Sequence, residues 1–173
     1  SLIPAKNALE IAQALPDTDI TLFFDEHQCA FVGEGCTVVS RLTNATYPDY
    51  EQIIPKDVVA EATALRRDFE LALKRTTIFS DSFSKVSFEF DQKKNALTLY
   101  AKNNDVGESS ESVSAKVSGS PITLSFNHRF IGTIFGLTTA ESISLTAAGI
   151  GRPLVIRGVG DNSLLYLISP MNQ

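Results

Sequence analysis

The stretch Val58-Val59-Ala60-Glu61-Ala62-Thr63-Ala64 reads as a strand, and it leads directly into a predicted helix over residues 65–78. Placed at about 100° per residue, Leu65, Phe69, Ala72, Leu73 and Thr76 share one helix face, with Arg67 and Lys74 opposite. The helix is therefore expected to have one buried and one basic side. Beyond it, Val86, Phe88 and Phe90 alternate with Lys85, Ser87 and Glu89, the period of a strand with one face on a core. Gln92-Lys93-Lys94-Asn95 is a turn, Leu97 and Leu99 mark the next strand, and Val113, Ala115 and Val117 the one after. The unit is strand, helix, three strands, closing near Gly119.

The same unit recurs on both sides of this one, and recurrence at a fixed pattern is the sign of a repeated supersecondary element. On the C-terminal side, Ile122, Leu124 and Phe126 form a strand before a predicted helix over 127–137. Asn127 is its expected N-cap, and Phe130, Ile131, Ile134 and Phe135 sit at helical spacing. Strands follow around Ile143 and Leu145, around Leu154 and Ile156, and over 164–169. On the N-terminal side there is one further copy: a short strand at Leu2-Ile3, a helix carrying Ala8, Leu9, Ala12 and Leu15, and strands over 20–25, 29–32 and 37–42. A single copy leaves a sheet edge unpaired, which proteins normally cover or close. The predicted class is α+β, with antiparallel sheets and helices on one face.

At 173 residues, 43% hydrophobic and 20% charged, the chain suits one domain, or one domain plus part of another, with a packed core. No apolar run reaches the roughly 18–20 residues of a membrane span, and the first residues lack a signal-like core, so a cytoplasmic location is expected. Cys29 and Cys36 are too few for a disulfide scaffold or a zinc site and are read as reduced, structural thiols. Without a secretion signal, Asn44-Ala45-Thr46 is read as a chance match to the glycosylation pattern. A net charge of −5 argues against a uniformly nucleic-acid-coating surface and leaves room for a local basic face. His27 and His128 stand apart from any carboxylate or cysteine spacing that builds a relay or metal site. Gly149-Ile150-Gly151-Arg152-Pro153-Leu154 has proline where a phosphate-binding loop would start its helix, so a turn is expected. No catalytic residue, metal or cofactor is assigned.

The linker Tyr47-Pro48-Asp49-Tyr50-Glu51-Gln52-Ile53-Ile54-Pro55-Lys56 closely resembles the segment joining the middle and last domains of the bacterial β sliding clamp, the β subunit of the replicative polymerase. Thr77-Ile78-Phe79-Ser80, Phe126-Asn127 and Tyr166-Leu167-Ile168-Ser169-Pro170-Met171 resemble the family at corresponding places. Gln52 stands where arginine is common, Ser169 where methionine is common, and Asn172-Gln173 replace the usual ending. The resemblance implies that residues 1–55 are half of a middle domain with its linker, and 56–173 a complete third domain. It implies a non-catalytic processivity factor whose parent is a head-to-tail homodimeric ring around duplex DNA.

Three sets of residues follow from the resemblance. A peptide cleft, which takes short segments of the polymerase, clamp loader and repair proteins, maps to Pro48, Gln52, Ile53, Phe83, Asn127, Phe130, Pro153, Leu154, Leu167, Ile168, Ser169, Pro170 and Met171, with part of its wall upstream. Sequence-independent contact with DNA phosphates maps to Lys6, Lys56, Arg67, Lys74 and Arg75. A subunit interface maps to Ile78, Phe79, Glu108 and Glu111. Two other readings remain open to the residues alone: a clamp-like module that docks peptides without circling DNA, and a small enzyme whose polar site carries no known motif.

Overall fold

The computed structural model describes residues 2–47 and 49–171. The chain divides into two compact units, Ser1–Asp49 and Tyr50–Gln173.

In the first unit, helix α1 (Ala5–Ala14) precedes strands β1 (Thr21–Phe24), β2 (Gln28–Gly33) and β3 (Cys36–Arg41), which form an antiparallel sheet in that order. A lone bridge joins Leu2 to Thr43, in place of the expected opening strand. The α1 stripe differs from its prediction. Ile11 is buried, while Ala8, Leu9 and Ala12 are exposed. The Asn7 amide donates to Ser40 Oγ on β3 at 3.0 Å, and Ile11 lies one turn further on that same side. All four residues of β1 are exposed.

In the second unit, the first copy runs β4 (Ala60–Leu65), α2 (Arg66–Thr77), β5 (Lys85–Asp91), β6 (Ala96–Asn103) and β7 (Gly107–Gly119). The second runs β8 (Ile122–Asn127), α3 (His128–Thr133), β9 (Ser142–Ala147), β10 (Leu154–Gly158) and β11 (Tyr166–Ile168). Among the described residues these strands form one antiparallel sheet in the order β11-β10-β9-β4-β7-β6-β5-β8. The first strands are exchanged between copies: β4 pairs with β9 of the second copy, Ala62 opposite Leu145, and β8 with β5 of the first, Phe126 opposite Val86. Neither copy has a complete sheet without the other.

The predicted alternation is the observed one. Val86, Phe88, Phe90, Leu97, Leu99, Val113, Ala115 and Val117 are all buried beneath the helices. Phe69 of α2 meets Phe88 edge-on at 5.5 Å, Phe88 meets Phe126 at 5.4 Å, and Phe69 reaches Phe135 at 5.7 Å. Burying each such ring stabilises the fold by about 2–3 kcal/mol. Leu65 was expected in this stripe, but it closes β4 and is half exposed. The second helix is also shorter than predicted: α3 ends at Thr133 and continues as a 3-10 turn, Ile134–Gly136. Gly132 and Gly136 weaken the helix, and the Thr133 hydroxyl donates back to Arg129 O at 3.2 Å.

Candidate functional site

Between β9 and β10 the chain makes a tight turn in which Arg152 N–H donates to Gly149 O at 3.2 Å. Gly151 has φ +72°, as the third residue of a type II turn requires, and Gly149 has φ +124°. The turn leaves Ile150 exposed at its tip and separates two pockets. One, of about 210 Å3, is bounded by Gln52, Ile53, Lys56 and Asp57 on one side and by Ala148, Arg152 and Pro153 on the other. The second, of about 200 Å3, is lined by Leu124 and Ser125 of β8, by Ile150 and Gly151 of the turn, and by Ser169, Pro170 and Met171 after β11.

The second pocket lies where the duplication is imperfect. Within the first copy, β4 pairs with its own β7 over five residues. Among the described residues, the equivalent ladder, β8 with β11, is replaced by a bond from Met171 N–H to Ser125 O at 2.7 Å. An open seam therefore remains between the two ends of the sheet.

Near the start of α3, the Asn127 side chain accepts from Arg129 N–H at 3.0 Å, as the expected cap, and its amide donates to Phe83 O at 3.4 Å. Asp81 Oδ1 accepts from the N–H groups of Phe83 and Lys85, both at 3.0 Å, which holds the loop carrying Phe83. Tyr166 OH donates to Phe130 O at 2.9 Å and ties β11 to α3. Phe83 and Phe130 are left 71% and 60% exposed, so neither ring is a core residue. His128 Nε2 lies 3.2 Å from Ser80 Oγ, and partial burial together with the neighbouring Arg129 charge pushes the imidazole pKa down, with Asp81 opposing.

Of the residues expected in a peptide cleft, Gln52, Ile53 and Pro153 line the first pocket and Ser169, Pro170 and Met171 the second. Leu154 and Ile168 are corrected to core positions, 0% and 4% exposed, because their strand faces turn toward the helices. Leu167 is half-buried on β11, and Pro48 lies outside the described residues. The sequence reading missed Leu124, Ser125, Ile150, Gly151 and Arg152. The Gly-Ile-Gly-Arg-Pro run was the available signal, since glycines bracketing an aliphatic residue mark an exposed turn.

The cations behave differently from one another. Lys74 Nζ sits 2.7 Å from Glu70, Arg75 Nη1 3.6 Å from Glu111, and Lys6 Nζ 3.9 Å from Glu10. Arg67 is exposed with no ion pair among the described residues, while Lys56 lines the first pocket. Arg66, not singled out by sequence, donates through Nε to Ala140 O at 3.1 Å and through Nη1 to Phe135 O at 3.5 Å, pinning α2 to the segment after α3. Ile78 is 68% exposed, whereas Phe79 is half-buried beside Gly107. Glu108 accepts from Tyr100 OH at 2.9 Å and thereby raises the phenol pKa. Among the described residues no group of three or more His, Cys, Asp or Glu is placed to hold a metal, and no helix is long and apolar enough to cross a membrane.

A family model for the C-terminal domain of the DNA polymerase III beta subunit matches residues 51–172. The beta sliding clamp of Pseudomonas putida is 26% identical over 176 residues, covering 98% of this chain and 47% of the relative. That of Synechococcus elongatus is 26% identical over 156 residues, covering 90% of this chain and 42% of the relative. Among solved structures, the DNA polymerase III subunit beta of Pseudomonas aeruginosa shares the fold with a TM-score of 0.87 at 21% identity, covering 99% of this chain and 47% of that one. The beta subunit of Thermotoga maritima does so with a TM-score of 0.81 at 24% identity, over 89% of this chain and 42% of that one. The chain thus spans about half the length of the curated relatives it matches. With the match running through the duplicated unit that carries both pockets, the chain belongs to the DNA polymerase III beta subunit family, through its C-terminal domain.

Proposed function

We propose that this chain is part of a replication processivity clamp: a non-catalytic, cytoplasmic protein, without cofactor, whose parent closes as a head-to-tail homodimer around duplex DNA. Residues 1–55 supply half of a middle domain and its linker, and 56–173 the third domain. The observation that carries the reading is the pair of pockets flanking the 148–153 turn, since their walls combine the linker with the C-terminal tail, the two segments whose sequence most resembles the clamp family. Peptides of the polymerase, the clamp loader and repair proteins dock there through apolar anchors. Ile78, Phe79, Glu108 and Glu111 serve the subunit interface, and Arg67 is the DNA-facing cation of α2 with no carboxylate partner among the described residues.

Two experiments test this. The full-length parent should be retained on circular duplex DNA and released when the DNA is cut, while this chain alone should not be retained. A peptide with Gln, Leu and Phe anchors should shift the resonances of Phe83, Phe130 and Met171, and shifts confined to other surfaces would remove the cleft. A second reading, a clamp-like module that docks peptides without circling DNA, is favoured by the carboxylates that neutralise Lys74 and Arg75. Retention of the parent on circular DNA excludes it.

A further inference from the structure

On the face of the sheet turned away from the helices, a pocket of about 240 Å3 opens over β5 and β6. Strand alternation places it there. Phe88 and Leu99 point into the core, so Ser87 and Tyr100, their neighbours on each strand and paired with one another, point out. Two residues further along each strand, on that same face, stand Lys85 and Lys102, and both border the pocket together with Asp81 and Asn104. Like charges this close on neighbouring strands repel. Lys85 makes no ion pair among the described residues, and Lys102 reaches Glu108 only at 4.0 Å, with both groups largely in solvent. An anion held between the two ammonium groups removes the repulsion. We propose that Lys85 and Lys102, with Ser87 and Asn104, form a subsite for a phosphate group, carried as a monoester or free.

The donor set selects phosphate over carboxylate. A planar carboxylate is matched best by the parallel donors of a guanidinium, whereas two ammonium groups act as separate point charges and suit a tetrahedral group with oxygens on several sides. Ser87 Oγ lies 2.9 Å from Ser125 Oγ, so with Ser125 as donor the Ser87 hydroxyl keeps its own proton for the ligand. The Asn104 amide adds two further donors. Its loop is already held by Asn103, whose amide donates to Ser80 O and whose Oδ1 accepts from Asp105 N–H, both at 2.9 Å, so binding has little left to order. Asp81 opposes an anion, but its Oδ1 accepts from the Phe83 and Lys85 N–H groups, both at 3.0 Å, which offset part of its charge. The pocket is smaller than the roughly 300 Å3 at which sites for whole small molecules begin, so it takes a group and not a nucleotide. The α2 cations assigned above to DNA stand on the opposite face of the sheet, separate from this pair.

The test titrates the whole chain at low salt with inorganic phosphate and with the N-acetyl amides of phosphoserine, aspartate and serine, and reads backbone amide shifts by NMR. Both phosphates should give saturable shifts at Lys85, Ser87, Lys102 and Asn104, with affinities about three- to ten-fold above that of the aspartate amide, and the serine amide should give none. Tighter binding of the phosphoserine amide makes a phosphorylated side chain the source; equal or tighter binding of inorganic phosphate makes it the free ion. Lys85→Gln and Lys102→Gln should each weaken phosphate about three- to ten-fold without lowering the urea midpoint. Glu108→Gln, which frees Lys102 and the Tyr100 hydroxyl, should tighten it. Absence of saturable shifts at these residues, equal affinity for the aspartate amide, or indifference to both lysine variants overturns the subsite. Stronger shifts of the same residues by a duplex oligonucleotide without terminal phosphates also overturn it, since the lysines would then follow a nucleic-acid backbone.

Discussion

Arg75 of α2 and Glu111 of β7 are joined by a 3.6 Å ion pair on the helix-covered side of the sheet. Glu111 stands opposite Leu99 in the ladder, and Leu99 is fully buried, so the carboxylate rises on the same side as the helix. Lys74 is likewise held by Glu70. The basic side of α2 is thus largely neutralised by its own neighbours. Under the proposed function, phosphate contact there should be weak.

Removing the carboxylate should expose the cation. Glu111→Gln is expected to change stability by less than about 1 kcal/mol, because Arg75 is exposed and Glu111 only partly buried. In the full-length parent it should strengthen binding to duplex DNA and steepen the slope of log K against log salt by about 1. A salt titration of the variant and the unaltered parent measures this, and an unchanged slope would show that Arg75 does not meet phosphate.

The bond from Met171 N–H to Ser125 O bridges the open seam of the sheet. Met171→Pro removes the donor and should cost about 1 kcal/mol, read as a lower midpoint in urea. It should also weaken the docking peptide several-fold, since the tail lines the second pocket. Met171→Ala, which keeps the N–H, should retain most of the stability.

Gly119 ends β7 with φ +92°, and a Cβ there would stand 2.1 Å from Val59 O. Gly119→Ala should therefore lower stability by roughly 2–4 kcal/mol, through a strained backbone and displacement of β4. Gly151→Ala has positive φ but open space around it and should cost only about 1 kcal/mol. Thermal unfolding of the two variants tests the contrast.

His128 has a pKa below its ordinary 6.5 in the folded chain. The unfolded chain therefore takes up the proton first as pH falls, and the stability that the neutral imidazole contributes is present above about 6.5 and lost as pH drops through the folded value. Urea midpoints should decline between pH 7.5 and 5.5, and His128→Gln should flatten that decline. An equally steep decline in the variant would assign the pH dependence to other groups.

Much of this was legible from residues near one another in sequence. The alternation of Val86, Phe88 and Phe90, and of Leu97 and Leu99, follows from the two-residue period of a strand, which holds whatever the strand later packs against. Asn127 as a cap and the glycines of the 149–151 turn are equally local. The linker and tail also carried enough specific residues to signal the family.

Other features depend on residues that meet only when the chain is folded. The exchange of β4 and β8 between copies, the seam bridged by Met171 and Ser125, and the ion pair of Arg75 with Glu111 each join distant segments. Helical spacing showed that α1 is amphipathic but not which side meets the sheet, and Ile11 is buried in place of Leu9, on the side where Asn7 donates to Ser40. For the same reason Leu154 and Ile168 are core residues, while Ile150 and Arg152, read in sequence only as parts of a turn, became pocket walls. Periodicity determines how a segment divides its own faces; which face is buried is decided by the surface that another segment brings to it.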